Sequence, residues 1–131
     1  MSDAEQPEST LSTLQPDPAW DAESHADAVD ALATDGLTFR IWGGDWCGDC
    51  RQLLPAFAAA LEAAGMPDER IHAHAVERED GEKVGEGMAE NGVELIPTVI
   101  VERDGTEIAR FVESEGRPIA EYLADAIDAA E

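Results

Sequence analysis

The sequence is short of cysteine, of basic residues and of long apolar segments, and each shortage excludes a class of protein. Its 131 residues contain two cysteines, too few for a disulfide-stapled scaffold or a four-cysteine zinc site. No segment approaches the ~20 consecutive apolar residues that a membrane-spanning helix needs. Apolar residues still make up 44% of the chain, which suffices for one globular domain with a modest core.

Basic residues number eight against 30 acidic ones, which gives a formal net charge of −22. Because like charges repel, neither nucleic acid nor an anionic membrane surface is an expected partner. Two interpretations of the acidity remain open: a surface adapted to concentrated salt, which screens self-repulsion, or a docking surface for a basic partner. The acidic residues are spread over every segment, so salt adaptation, as in a halophilic organism, is the favoured hypothesis.

The first residues show neither hydrophobic periodicity nor the basic and apolar regions of a secretory signal. Residues 1–16 are therefore predicted to form a disordered acidic tail, and residues 17–131 one domain. The missing export signal favours a cytoplasmic location, where thiols are kept reduced.

The two cysteines, Cys47 and Cys50, are separated by two residues and lie between a predicted strand and a predicted helix. Two thiols one helical turn apart can form and break a disulfide with little backbone movement, and a helix N-terminus stabilises a thiolate on the first sulfur. A structural disulfide would close too small a loop to add much stability, and zinc lacks further cysteine ligands. The spacing therefore favours a redox-active dithiol.

Hydrophobic periodicity predicts alternating helices and strands, then a hairpin and a closing helix. Such an order indicates a mixed sheet with helices on both faces. The predicted helices run from Pro18 to a stop at Gly36 and over Gly48–Ala64, Gly81–Asn91 and Pro118–Ala130; the predicted strands are Leu37–Trp42, Arg70–Val76, Thr98–Glu102 and Glu107–Val112.

Three signals in this order resemble the thioredoxin family, from about Pro18 to Ala130. The first is the segment Trp46-Cys47-Gly48-Asp49-Cys50, which is similar to the family's Trp-Cys-Gly-Pro-Cys site. Pro55 is placed like the family's helix-kinking proline. Ile96-Pro97-Thr98 matches its cis-proline motif before the long strand. The resemblance implies an α/β thioredoxin fold with a central mixed sheet of four or five strands.

The resemblance also implies a reaction and its residues. Cys47 is the expected nucleophile and Cys50 the resolving thiol, and the Cys47–Cys50 disulfide is the redox group, with no bound cofactor and no metal. Ile96, Pro97 and Thr98 are the expected substrate-binding loop, whose main chain pairs with an extended client segment. The implied partners are disulfide-containing client proteins and an electron donor, either a thioredoxin reductase or a low-molecular-weight thiol, with the protein acting as a monomer.

The chain departs from the family pattern at several positions. Ile41 stands where many thioredoxins carry a buried aspartate that aids proton transfer, and Glu113 stands where a substrate-loop glycine is common. Asp49 replaces the proline between the cysteines; its charge suits a helix start but also disfavours the neighbouring thiolates, which pushes the couple toward reducing potentials. Both effects of Asp49 can hold together.

Four further residues receive weaker predictions. Asp45 is a candidate acid–base group, although an ordinary loop role is the favoured interpretation. Trp46 is expected to shield the dithiol and contact substrate. His72 and His74 alternate on a predicted strand, and a partly exposed strand face is favoured there over a metal site.

The sequence thus predicts a protein-disulfide reductase. A non-catalytic thioredoxin-fold module for redox sensing or binding stays open, because Ile41 and Glu113 depart from the catalytic pattern. An oxidase or isomerase fits less well, since no export signal is present and Asp49 is not a cation.

Overall fold

The computed structural model describes residues 16–44, 47–79, 82–85, 87–113 and 118–130. Except for Pro16, the predicted tail lies outside these residues, as do Asp45 and Trp46. The helices of the described part are α1 (Ala26–Leu32), α2 (Gly48–Ala63) and α3 (Ile119–Ala130), and its strands are β1 (Leu37–Gly43), β2 (Ile71–Ala75), β3 (Glu77–Glu79), β4 (Glu82–Val84), β5 (Thr98–Arg103) and β6 (Thr106–Val112). Short 3-10 helices cover Ala22–His25 and Asp68–Arg70.

The main sheet has four strands in the order β2-β1-β5-β6. β1 runs parallel to β2 and antiparallel to β5, and β5 is antiparallel to β6, so the predicted mixed sheet is confirmed. A parallel pair needs a crossover connection, and α2 supplies it between β1 and β2. β3 and β4 form a separate two-stranded hairpin.

The core lies between one face of this sheet and the helices. Phe39 and Ile41 of β1 pair with Val101 and Val99 of β5, and all four side chains are fully buried. The Phe39 ring packs 6.1 Å from the ring of Phe57 on α2. Tyr122 of α3 makes an edge-to-face contact with Phe111 of β6, with the two ring centroids 5.5 Å apart. These contacts hold α2 and α3 against the sheet.

The opposite face of β1 carries Trp42, which is also buried. Its indole stacks on the ring of His74 from β2, with 5.0 Å between the ring centroids. The turn at Gly87 lies against the same indole: a Cβ on that glycine would be 3.5 Å from Trp42 Cζ2. Turns in residues 87–92 therefore cover this part of the sheet.

Two predicted helix positions are wrong. The segment Gly81–Asn91 contains β4 and turns in its described residues, because it has three glycines and no continuous apolar stripe to bury. The first helix does not start at Pro18: the Asp17 carboxylate accepts the N–H of Ala19 within a turn. Asp21 is instead the N-cap of the 3-10 helix Ala22–His25, where its carboxylate accepts the N–H of Glu23. The α-helix α1 begins after that turn, at Ala26.

Candidate active site

Cys47 is the N-cap residue of α2, at the end of the sheet where β1 finishes. Its backbone is extended, and its Sγ accepts the N–H of Cys50 at 3.3 Å. The sulfur thus takes the place of a serine or aspartate cap oxygen and faces the unpaired N–H groups of the first turn. Because these groups carry partial positive charge, they stabilise a negative charge on this sulfur. Cys47 is partly exposed, so a disulfide in solution can reach it.

Cys50 lies one turn further into α2 and is fully buried. Burial raises the pKa of its thiol from 9.0 to about 12, and the hydrogen bond to Cys47 and the charges of Cys47 and Asp49 act in the same direction. The backbone N–H of Gly44 opposes them, since it donates to Cys50 Sγ at 3.4 Å. The two thiols are therefore unequal: one is exposed at a helix cap, and the other is held protonated inside the core.

The Ile96–Pro97–Thr98 segment joins the site through the register of the sheet. Trp42 of β1 pairs with Thr98 of β5, so the antiparallel register continued by one residue places Pro97 beside Gly43. The Ile96–Pro97 peptide bond is cis. The loop that leads into β5 is held by Thr98, whose hydroxyl donates a hydrogen bond to the carbonyl of Leu95 at 2.6 Å.

The main chain of Ile96 is open for pairing. Neither its N–H nor its carbonyl makes a hydrogen bond with the described part of the chain. The neighbouring Pro97 is hydrogen-bonded to the residue after β6: the N–H of Glu113 donates to the Pro97 carbonyl at 2.7 Å. An extended peptide lying along Ile96 would find there two main-chain groups that no described residue pairs.

Two of the three departures from the family pattern, Ile41 and Glu113, lie outside α2. Ile41 is fully buried in the same core cluster as Cys50. An alkyl side chain therefore occupies the position at which the family resemblance implies a proton-transferring aspartate. Glu113 has φ +56°, in the left-handed region that residues with side chains rarely adopt.

The remaining predicted site residues are placed as follows. Gly48 and Asp49 form the exposed start of α2, and Asp49 lies in its first turn as expected of a helix-start carboxylate. His72 and His74 are both partly buried on β2, and the stack with Trp42 gives His74 a packing role. The predictions for Asp45 and Trp46 fall outside the described residues.

Sequence reasoning missed the N–H of Gly44. Any backbone amide can donate, and the sequence does not show which one faces a particular sulfur until the loop between β1 and α2 is folded. The glycine pair before the dithiol is the one local signal, because residues without a side chain allow the close approach of backbone to a ligand or side chain.

The comparisons with known proteins agree with this architecture. A family model described as Thioredoxin matches residues 11–126. The chain is 28% identical over 102 residues to the mitochondrial thioredoxin-2 of Schizosaccharomyces pombe, covering 78% of this chain and 71% of that protein.

Two solved structures were also found similar. A mutant thioredoxin from Halobacterium salinarum NRC-1 has a TM-score of 0.49 at 20% identity, covering 89% of this chain and 87% of the other. Thioredoxin O2 from Arabidopsis thaliana in the oxidised state has a TM-score of 0.47 at 16% identity, covering 92% and 97%. The family model alone spans most of the sequence, and by that match the chain belongs to the thioredoxin family.

Proposed function

We propose that this protein reduces disulfide bonds in client proteins by dithiol–disulfide exchange through Cys47 and Cys50. The observation that carries the proposal is the inequality of the two thiols, since Cys47 is partly exposed at the N-cap of α2 and Cys50 is buried one turn behind it. That arrangement separates an attacking sulfur from a resolving one.

In the first step the Cys47 thiolate attacks one sulfur of the client disulfide. A bond forms between Cys47 and that client sulfur, the client S–S bond breaks, and the second client sulfur leaves as a thiolate that takes up a proton. The open main chain of Ile96 is suited to hold the client segment in an extended conformation during this attack.

In the second step Cys50 attacks the Sγ of Cys47. The mixed disulfide breaks, the Cys47–Cys50 disulfide forms, and the proton of Cys50 ends on the departing client thiol. With Ile41 in the core, the N–H of Gly44 is the described group that stabilises negative charge on Cys50 as the proton leaves. An external dithiol or thiol, or a thioredoxin reductase, then returns two electrons to the disulfide.

The setting of this activity is part of the proposal. We propose a cytoplasmic location and action as a monomer. The excess of acidic residues supports the further proposal that the protein binds neither nucleic acid nor anionic membranes. None of the helices in the described ranges has the length and apolarity to cross a bilayer. The acidic composition supports an origin in a salt-adapted organism.

Reduction of insulin with dithiothreitol in concentrated salt tests the reaction. The wild-type protein is expected to accelerate it, and Cys47→Ser is expected to fall to the rate without protein.

The buried Ile41 favours a second candidate, a non-catalytic module whose dithiol switches a partner interaction. Wild-type protein that forms the Cys47–Cys50 disulfide but gives no acceleration would support that module against the reductase.

A further inference from the structure

Glu113 has a backbone conformation that its side chain disfavours. With φ +56° it lies in the left-handed region, where glycine is at no disadvantage and a glutamate is strained. Strained residues of this kind are concentrated at functional sites, where the surrounding structure holds them in place. Here the hydrogen bond from the N–H of Glu113 to the carbonyl of Pro97, at 2.7 Å, is one such restraint.

That hydrogen bond places Glu113 at the same end of the sheet as the dithiol. At this end of the sheet, Gly43 of β1, Pro97 before β5 and Glu113 after β6 follow one another across neighbouring strands. Two strand spacings separate the first from the last, roughly 10 Å. Since the next residue after Gly43 donates to Cys50 Sγ, a client segment lying along Ile96 would pass between the sulfurs and Glu113.

The side chain of Glu113 is the part of this residue that would meet such a segment. It is partly exposed, and its carboxylate forms no hydrogen bond or ion pair with the residues that the structure describes. Asp49, exposed in the first turn of α2, adds negative charge at the dithiol, while Arg51 in the same turn already interacts with another group.

The segment before Pro97 also offers an apolar contact, the side chain of Leu95. Leu95 is 40% exposed and is the one large hydrophobic side chain of the described residues to be so open. Its position is fixed by the bond between its carbonyl and the Thr98 hydroxyl. Among the described residues, the surface beside the dithiol thus offers the apolar side chain of Leu95, the main chain of Ile96 and the carboxylate of Glu113, for which no partner is found in the described part of the chain.

We propose that Glu113 is a specificity-determining residue that favours client segments with a lysine or arginine near the disulfide and disfavours acidic ones. The inference rests on the proposed reductase function and names its substrate class. The exchange chemistry is unchanged; Glu113 acts on the binding of the client and on its orientation at Cys47.

Three disulfide peptides that differ only in their flanking residues test this inference. One peptide carries two lysines, one two glutamates and one two glutamines, and kcat/KM is measured at the lowest KCl concentration at which circular dichroism shows the fold. We expect the wild-type protein to prefer the lysine peptide over the glutamate peptide. Glu113→Gln is expected to reduce that ratio by about threefold to fivefold, as for a partly exposed charge pair. Turnover of the glutamine peptide measures any change that does not depend on the charge of the client.

Two further variants make the test specific. Glu113→Gly removes the same carboxylate and suits a positive φ, so it should show the same reduced ratio even if Glu113→Gln proves unstable. Glu62→Gln removes an exposed charge of α2 that lies roughly 18 Å along the helix from Cys50, and should leave the ratio unchanged.

An unchanged ratio in both Glu113 variants, or an equal fall in Glu62→Gln, would overturn the role of Glu113 and leave the reductase proposal standing. Absence of wild-type turnover with all three peptides would instead overturn the reductase proposal, and the assigned substrate class with it.

Discussion

The backbone N–H of Gly44 points at the buried sulfur of Cys50, 3.4 Å away. The carbonyl of the same residue accepts the N–H of Cys47 at 3.1 Å, so one peptide segment contacts both halves of the dithiol. In a core that offers Ile41 in place of a carboxylate, this main-chain donor supplies stabilisation for a thiolate on Cys50.

Removing that donor should slow the resolving step. Gly44→Pro lacks the N–H, and a hydrogen bond to a charged group is worth about 1.5–3 kcal/mol, so release of client from the mixed disulfide should slow by about tenfold to hundredfold. Gly44→Ala keeps the N–H and is the matched control. Stopped-flow measurement of client release checks the difference, and equal rates in the two variants would argue against a role for this amide.

The raised pKa of Cys50 predicts that the reduced protein loses stability in alkali. The unfolded chain releases the Cys50 proton near pH 9.0 and the folded chain only near pH 12, so the folded state binds more protons between these values and its stability falls as the pH rises. Below pH 9.0 the full contribution is present. The loss amounts to about 1 kcal/mol between pH 8 and pH 10.

Urea unfolding with a phosphine reductant at pH 8 and pH 10 measures this loss. Reduced Cys50→Ser keeps every other titrating group and should show a smaller decrease, and the difference between the two proteins is the Cys50 contribution. Parallel decreases in both would contradict the assignment.

The charge of Asp49 is expected to make the couple more reducing. A carboxylate in the first turn behind the two sulfurs disfavours a thiolate there, so removal of its charge should stabilise the partly ionised reduced form relative to the disulfide. Asp49→Asn should raise the redox potential by about 5–20 mV, the equivalent of one exposed charge at a helix terminus, and Asp49→His should raise it further. Equilibration with glutathione gives the potential. Glu62→Gln makes the same charge change far from the site, and a shift as large in that variant would remove the case for Asp49.

The net charge of −22 predicts that stability depends on salt. Raising KCl from 0.1 M to 1 M shortens the Debye length from about 10 Å to about 3 Å, which screens repulsion between surface carboxylates. The urea midpoint should therefore rise over this range and flatten above it. A midpoint that is the same at both concentrations would speak against salt adaptation and for an acidic docking surface.

The parts of the fold with consistent local signals were predictable. The bounds of α2 agree with the prediction to within one residue. Its N-cap, its apolar stripe and the terminal Gly65 all indicate the same helix bounds. β5 and β6 were equally clear, since the Asp104-Gly105 pair allows the positive φ that the hairpin turn adopts.

The less predictable parts depend on tertiary contacts. In the 81–91 segment the local preferences are weak, and the packing of Gly87 against Trp42 and of Met88 into the core favours turns over a helix. At the site, residue type and spacing identified the dithiol, but the Gly44 amide and the strained Glu113 depend on sheet register. The glycine pair before the dithiol permits a close approach of the backbone but does not show which amide faces Cys50, and no local signal marks the positive φ of Glu113.

The most direct test of the account is the trapping of a mixed disulfide. In Cys50→Ser the resolving sulfur is absent, so a disulfide-bonded client should remain attached through Cys47 at a one-to-one ratio, visible by mass spectrometry and released by dithiothreitol. Cys47→Ser should trap none, because Cys50 is buried and protonated. Trapping through Cys50 in Cys47→Ser, or no trapping in Cys50→Ser, would contradict the proposal that Cys47 attacks and Cys50 resolves.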